Sequence, residues 1–366
     1  MTEMIPESSF LWQQGYLIKE KPMNNRVIHT PDGVRDLYGR NKKNKKILMN
    51  RLDGVFERYG YSDIETPTLE YFEVFSKDIG TTPSNELYKF FDRDGNTLVL
   101  RPDFTPSVAR AVSMHFPDES FPARLCYSGS TFVNSREYQG KLKESTQMGI
   151  ELIGDGSAEA DAEVIAVTCD LLLASGLKEF QVSIGEVNFF KSIADRSGLD
   201  EDYVESIRQL ISSKNFFGVS EVLEEASVSS DIREALEELP QLFGGAEILR
   251  TAEKYAVADE EKQAIKRLRD IQELLAERKL DRYISFDFGT LSRYNYYTGI
   301  IFSAFTYGTG EPIARGGRYD NLLGHFGTDR PAVGVGLYLD QLTNCLERQL
   351  IPYGADAWIA GKGEKV

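Results

Sequence analysis

Cysteine is scarce. Cys126, Cys169 and Cys345 are the only three in 366 residues, lie far apart and form no CxxC. Three thiols cannot all pair, which argues against a disulfide scaffold and for buried thiols in a reducing, cytoplasmic setting. Histidine is equally sparse: His29, His115 and His325 have no ligand-like spacing, against a histidine-rich zinc site. Positive charge is also short. Lys+Arg total 42 against 57 Asp+Glu, a formal net charge of -15. Such a field repels nucleic acid and anionic membrane at long range, though it permits a local basic groove. No apolar run reaches the ~18 residues of a membrane span. The opening MTEMIPESSFLWQQGYLIKEKP has early acids, no basic n-region and no long apolar stretch, unlike a secretory signal. It reads as a native extension or an expression remnant. P-loop, GxGxxG after a strand, GxSxG and HExxH are all missing, and no cofactor is implied.

What is present is ordinary globular composition, 41% hydrophobic and 27% charged, long enough for two or three domains with a sizeable core. Residues 1–25 lack periodicity and read as an extension. Lys42 to Tyr59 reads as a helix, with Ile47, Leu48, Leu52, Val55 and Phe56 on one stripe and Gly60 as its stop. Tyr61 to Leu69 is strand-like, with Pro67 pushing it to an edge or bulge. KFFDRDGNTLVL carries a hairpin signal at Asp94-Gly95. A short helix over Thr105 to His115 follows, then strands over Arg124 to Phe132 and Ser145 to Gly154, and an apolar helix over Asp161 to Ala174 stopped by Gly176. Between 190 and 282 the character changes: acids outnumber bases roughly two to one and helical stripes dominate, for example Ile265, Leu268, Ile271, Leu274 and Leu275. β character returns at Tyr283 to Phe288 and Gly299 to Tyr307, and AVGVGLYLDQL reads as a strand running into a helix. This irregular mixture predicts an α+β fold, a mainly antiparallel sheet flanked by helices, rather than a doubly wound parallel one. The expected division is an extension (1–25), a body (26–189 and 283–350), a helical insertion (190–282) and a tail (351–366).

The candidate chemistry sits at strand ends. RPDFT carries Arg101, Asp103 and Thr105; QMGIE carries Gln147 and Glu151, four apart on one sheet face. SRYNYYTG carries Arg293, Tyr296 and Tyr297; GGRYD carries Arg318, Tyr319 and Asp320. Singly, each has a plain structural alternative. Tyr296 packs equally well in a core, Arg318 and Asp320 can pair within a turn, and Arg101 can contact a neighbouring subunit. A Gln or Glu buried in a strand must find partners or costs several kcal/mol. Jointly, carboxylates, an arginine, an amide and phenols suit a zwitterionic amino acid: acceptors for the ammonium, an arginine fork for the carboxylate.

These segments resemble the catalytic core of the class II histidyl-tRNA synthetases over roughly Val27 to Leu350. TPDGVRDLYG is similar to the opening loop, and the helix plus YGYSDIETPTLE to the dimer-forming first motif. LVLRPDFTPSVARA, RLCYSGSTFVNSREYQGKLKESTQMGIELIG, LSRYNYYTGIIF, ARGGRYDNLLGHFG and AVGVGLYLDQL follow in the family's order. The resemblance implies a histidine pocket. Asp103, Thr105 and Gln147 would hold the α-ammonium, Glu151 and Tyr297 the imidazole, and Arg293 the α-carboxylate. Tyr319 of the GGRYD segment and Tyr296 of the YYTG segment would line the pocket. Asp103 stands where the synthetases usually have glutamate, leaving room for a bridging water.

Two departures matter. The arginine that opens the second-motif loop and clamps ATP is replaced by Val133, and the adenine-stacking arginine of the third motif by Gln341. Neither supplies a cation, and a lost preorganised charge contact costs about 2.7–4 kcal/mol of transition-state stabilisation. Sixteen residues follow Leu350, too few for the synthetases' anticodon-binding domain. The pattern is similar to a non-catalytic branch, the regulatory subunits of ATP phosphoribosyltransferase. That resemblance implies a short-form catalytic subunit as partner in the first step of histidine biosynthesis. It also implies self-association as a dimer, a hetero-octamer with four chains of each kind, histidine as effector, and no tRNA or membrane partner. The alternative is a truncated histidyl-tRNA synthetase-like enzyme that activates histidine with ATP. A third reading is an interaction module with a vestigial pocket.

Overall fold

The computed structural model describes residues 29–76, 82–135, 142–226, 228–291 and 297–354. The elements, in chain order, begin with α1 (Gly39–Arg58), β1 (Ser62–Asp63), β2 (Leu69–Tyr71), β3 (Lys89–Phe91), β4 (Thr97–Leu100) and α2 (Thr105–His115). β5 (Ala123–Phe132), β6 (Glu144–Ile153), α3 (Ala158–Ser175) and β7 (Phe180–Glu186) complete the first half. A helical stretch follows: α4 (Val187–Ser197), α5 (Glu201–Ser212), α6 (Phe216–Glu225), α7 (Ser230–Glu238), β8 (Phe243–Gly244), α8 (Glu247–Ala252) and α9 (Asp259–Glu277). β9 (Ile284–Asp287), β10 (Ile300–Thr306), β11 (Ala314–Arg318), β12 (Ala332–Tyr338) and α10 (Leu339–Arg348) close the chain.

Nine strands make one sheet in the order β1-β5-β6-β12-β11-β10-β7-β9-β8. Only β1 with β5 and β7 with β9 run parallel; every other pair in it is antiparallel. The expected α+β class with a mainly antiparallel sheet therefore holds. β2, β4 and β3 form a separate antiparallel sheet. The Asp94-Gly95 hairpin lies there. Gly95 takes φ 88°, a left-handed conformation suited to glycine, and Asp92 Oδ1 accepts from the N–H groups of Asp94 and Asn96.

The two faces of the large sheet differ. On the reverse face, Met148, Ile150 and Leu152 of β6 and Val333, Val335 and Leu337 of β12 pack against α3 in a single aliphatic core that continues into the helical stretch. α3 is apolar nearly all round because it is covered on more than one side: the sheet on one and α1 and α9 on others. Ser157 caps its start by accepting from Ala160 N–H, and Gly176, at φ 105°, ends it. α1 buries Leu48, Leu52, Val55 and Phe56, with Ile47 half-buried. On the front face, α2 covers one end of the strands through a smaller cluster that includes Phe104, Val108, Leu125, Tyr127 and Tyr319.

Two details depart from the sequence reading. The strand expected over Tyr61 to Leu69 is broken. Only Ser62 and Asp63 pair in the large sheet, and Leu69 opens the other one beyond Pro67. The acidic stretch also contributes a strand, β8, which extends the large sheet through β9. Because Leu52 is fully buried, Leu52→Ala is expected to cost about 2–5 kcal/mol of stability by chemical denaturation, against under half that for truncating half-buried Ile47 to Val.

Candidate functional site

Strand alternation places Gln147, Gly149 and Glu151 on the front face of β6. Opposite Glu151 stand Leu125 of β5 and Gly334 of β12; opposite Gln147 stand Gly129 and Tyr338. Gly334 in turn faces Gly317 of β11. The floor beside Glu151 is therefore bare backbone, and the reason is steric. A methyl group at 334 would lie 1.7 Å from Glu151 Oε2, and one at 336 would lie 2.1 Å from Gln147 Nε2. Both side chains lie flat across the neighbouring strand, which only glycine permits.

Glu151 has no solvent exposure. Its Oε1 accepts from Thr105 Oγ1 at 2.8 Å and Tyr127 OH at 3.3 Å, and its Oε2 accepts from Tyr319 OH. All three donors are neutral hydroxyls. Burial raises the Glu151 pKa to about 8, with nearby Asp103 adding to the rise and the hydroxyls opposing it. Burial likewise holds the Tyr127 and Tyr319 phenols well above their ordinary range, so both remain donors.

Each donor is held by its own support. Thr105 opens α2, and its N–H donates to Asp103 Oδ1 at 2.8 Å. Tyr127 stacks on Phe104 with ring centres 4.3 Å apart, and the Arg101 guanidinium lies 4.0 Å from the Phe104 centroid. Arg101 donates to the carbonyls of Ser130, Thr66 and Pro67. Within the chain the side chain is buried and acts as an internal prop. Tyr297 lies over Gly317, whose Cβ would be 2.6 Å from its Cε1, on the same front face.

Thr105, Gln147, Glu151, Tyr297 and Tyr319 thus share one face, with Asp103 at its edge. Arg293 and Tyr296 lie outside the described residues. Arg318 points to the reverse side, where it pairs with Asp161 and also with Asp320, the latter as the turn reading anticipated. Tyr127 and Phe104 were missed, although the alternation of Leu125, Tyr127 and Gly129 along β5 carried the signal for the former. Among the described residues the arrangement is rich in acceptors and poor in cations, suited to a ligand bearing N–H donors or positive charge. Val133 N–H donates to the Lys143 carbonyl as the strand ladder runs out, and Gln341 sits in the first turn of α10; neither carries charge.

Fold and site together define a class II aminoacyl-tRNA synthetase-like body. The sequence profile described as histidyl-tRNA synthetase matches residues 33–342. A Bacillus halodurans structure described as an ATP phosphoribosyltransferase regulatory subunit/histidyl-tRNA synthetase superposes with a TM-score of 0.83 at 33% identity, covering 88% of this chain and 84% of that one. A histidyl-tRNA synthetase from a Nostoc species superposes with a TM-score of 0.75 at 20% identity over 89% and 77% of the chains, a likeness of fold. An ATP phosphoribosyltransferase regulatory subunit of Acetivibrio thermocellus is 40% identical over 89% of this chain and 78% of its own length. One from Ruminiclostridium cellulolyticum is 38% identical with the same coverage. The chain belongs to the family of ATP phosphoribosyltransferase regulatory subunits, built on the histidyl-tRNA synthetase fold.

The raised Glu151 pKa predicts a pH signature. From the ordinary carboxylate range up to about pH 8 the folded chain retains a proton that the unfolded chain releases, so this group lowers stability as pH rises through that window. Glu186, raised to about 7 by burial, adds a similar slope. In Glu151→Gln only the first contribution disappears. Its stability relative to the natural chain should therefore rise from pH 5 to pH 8 in urea titrations. A difference flat across that window would contradict the assignment.

Proposed function

We propose that this chain is a non-catalytic regulatory subunit of ATP phosphoribosyltransferase that binds histidine on the glycine floor beside Glu151. In this reading Asp103, Thr105 and Gln147 receive the α-ammonium, and Glu151 and Tyr297 the imidazole. Arg293 meets the α-carboxylate, and Tyr296 and Tyr319 line the pocket. The observation that carries it is Glu151: a fully buried carboxyl group whose partners among the described residues are three hydroxyls, held protonated up to about pH 8 by burial, which a ligand donor or cation can draw into its charged form. An imidazole N–H or imidazolium is such a donor.

Catalysis, the transfer of phosphoribosyl from phosphoribosyl pyrophosphate to ATP in the first step of histidine biosynthesis, belongs to the short-form catalytic partner. This chain activates that partner and transmits feedback inhibition by histidine, in a cytoplasmic hetero-octamer with four chains of each kind. Inhibition requires histidine to favour one state of the assembly; a coupling of about 1–3 kcal/mol gives roughly 5–150-fold. Val133 and Gln341 weigh against an ATP-dependent synthetase role. The nearby cations Lys45 and Arg35 are engaged: both donate to Asp340 Oδ1 at 3.0 Å. Self-association as a dimer is supported by the three-stranded sheet. Leu69, Tyr71, Phe90, Leu98 and Leu100 share one face of it, the first three exposed. It follows directly on the segment similar to the dimer-forming motif, and a second copy is its natural cover.

Calorimetric titration tests the reading. Histidine should bind the complex, and Glu151→Gln should weaken it about 10–100-fold, the loss of one or two charge-assisted hydrogen bonds. No binding, with partner turnover indifferent to histidine, would refute it. Histidine-dependent exchange of pyrophosphate into ATP by the isolated chain would instead favour the synthetase reading. Tyr71→Glu combined with Phe90→Glu should shift the light-scattering mass from two chains to one; an unchanged mass would remove the sheet face from the dimer.

A further inference from the structure

Arg318 and Tyr319 are adjacent at the end of β11, so alternation sends them to opposite faces of the sheet. On the front, Tyr319 reaches past β12, over Gly334, to Glu151 of β6. On the reverse, Arg318 reaches past β12 in the same direction. It donates to the carbonyls of Asp155 at 3.1 Å and Ser157 at 3.3 Å, in the turn that leaves β6. β6 and β11 do not bond to each other, since β12 lies between them. Two neighbouring residues therefore grip the same strand end from its two sides.

The reverse grip has an anchor. Arg318 Nε donates to Asp161 Oδ1 at 2.9 Å. Asp161 is fully buried in the first turn of α3, and its other oxygen accepts from Arg267 Nε of α9 at 2.7 Å. Arg267 also donates to the carbonyls of Gly156 and Ser157 at 2.9 and 2.7 Å. One carboxylate thus holds β11, the β6–α3 turn and a helix of the acidic stretch together. Beside it opens a cleft of about 810 Å³, bordered by Glu186, Asn188, Lys191 and Gln263, so open space rather than packed side chains lies between α4, α9 and the strand ends on that side.

We infer that Asp161, Arg318 and Arg267 are positioning residues for the amino-acid pocket, holding Tyr319 against Glu151 and linking that contact to the seating of α9. The inference deepens the histidine reading and rests on it only for the ligand. A shift of α9 acts on Asp161 and so on both strand ends. Losing one partner of a buried ion network leaves the other uncompensated, so the link is stiff.

The test uses Arg267→Met, which keeps the aliphatic bulk and removes only the α9 arm. Asp161→Asn is the stronger variant but endangers folding, because it leaves Arg318 buried beside a neutral group. In hydrogen exchange of the ligand-free chain, Arg267→Met should speed exchange at 147–153 and 316–320, on both sides of β12. Faster exchange confined to α9 and residues 154–161 would overturn the inference. Histidine affinity of the complex should fall about 2- to 30-fold, with Arg267→Lys recovering part of it. An unchanged affinity would also overturn it. Should the natural complex take up no histidine, the functional reading falls and the exchange result still decides this one.

Discussion

One buried carboxyl group organises this molecule. Glu151 sits near the end of an interior strand of the large sheet, where a carboxylate without compensation is costly. Everything nearby can be read as the means of keeping it there. Three hydroxyls come from three separate elements, α2, β5 and the end of β11. Glycine on the adjacent strand makes room for it, and a stack of Arg101, Phe104 and Tyr127 fixes one of its donors. Hydroxyls satisfy the carboxyl group geometrically without supplying a cation, and burial raises its pKa to about 8. The group therefore differs from a structural ion pair: it would ionise in response to a positive charge placed beside it.

The contrast with Asp161 and Asp340 makes the point. Both are buried carboxylates in the first turns of helices, but each is matched to two cations: Asp161 to Arg318 and Arg267, Asp340 to Lys45 and Arg35. Asp340 also accepts from the Thr146 N–H at 2.6 Å, one residue before Gln147. These charges are closed accounts that tie α1, α9 and the opening loop to the sheet. Among the described residues Glu151 is left with neutral partners, as is Glu186, which accepts from Asn188 and the Phe189 N–H at the start of α4; what sets Glu151 apart is its place on the face paved with glycine.

Much of this was legible in sequence, for physical reasons that differ by element. The helix over Thr105 to His115 matches its expected bounds because Pro106 suits a helix start and the apolar stripe is short and clean. The paired strands around QMGIE were legible through period-two alternation, which also put Gln147 and Glu151 on one side. Lys45 and Arg267 were not legible. On a helical wheel each looks like a solvated cation, and nothing local reveals a carboxylate 295 or 106 residues away. Tyr61 to Leu69 misled because its residues favour strand while Pro67 breaks the ladder. The internal role of Arg101 was not legible for a related reason: its partners are backbone carbonyls, which leave no trace in composition.

The division of labour between the sheet's faces bears on how a regulatory subunit could be built on a synthetase-like scaffold. Adenylate chemistry needs fixed cations where charge accumulates, and Val133 and Gln341 provide none. Recognition of an amino acid needs only the acceptor-rich floor, which is independent of those positions. A pocket freed from catalysis can be tuned for coupling instead, and coupling requires that ligand and partner bias the same element. The end of β11 is suited to that role. Its two last-placed side chains face opposite ways, one to the pocket and one to the buried carboxylate shared with α9. A displacement at one face has a short route to the other, because a single planar peptide unit joins Arg318 to Tyr319 and the strand ladder on β12 limits the φ/ψ adjustment available to Arg318.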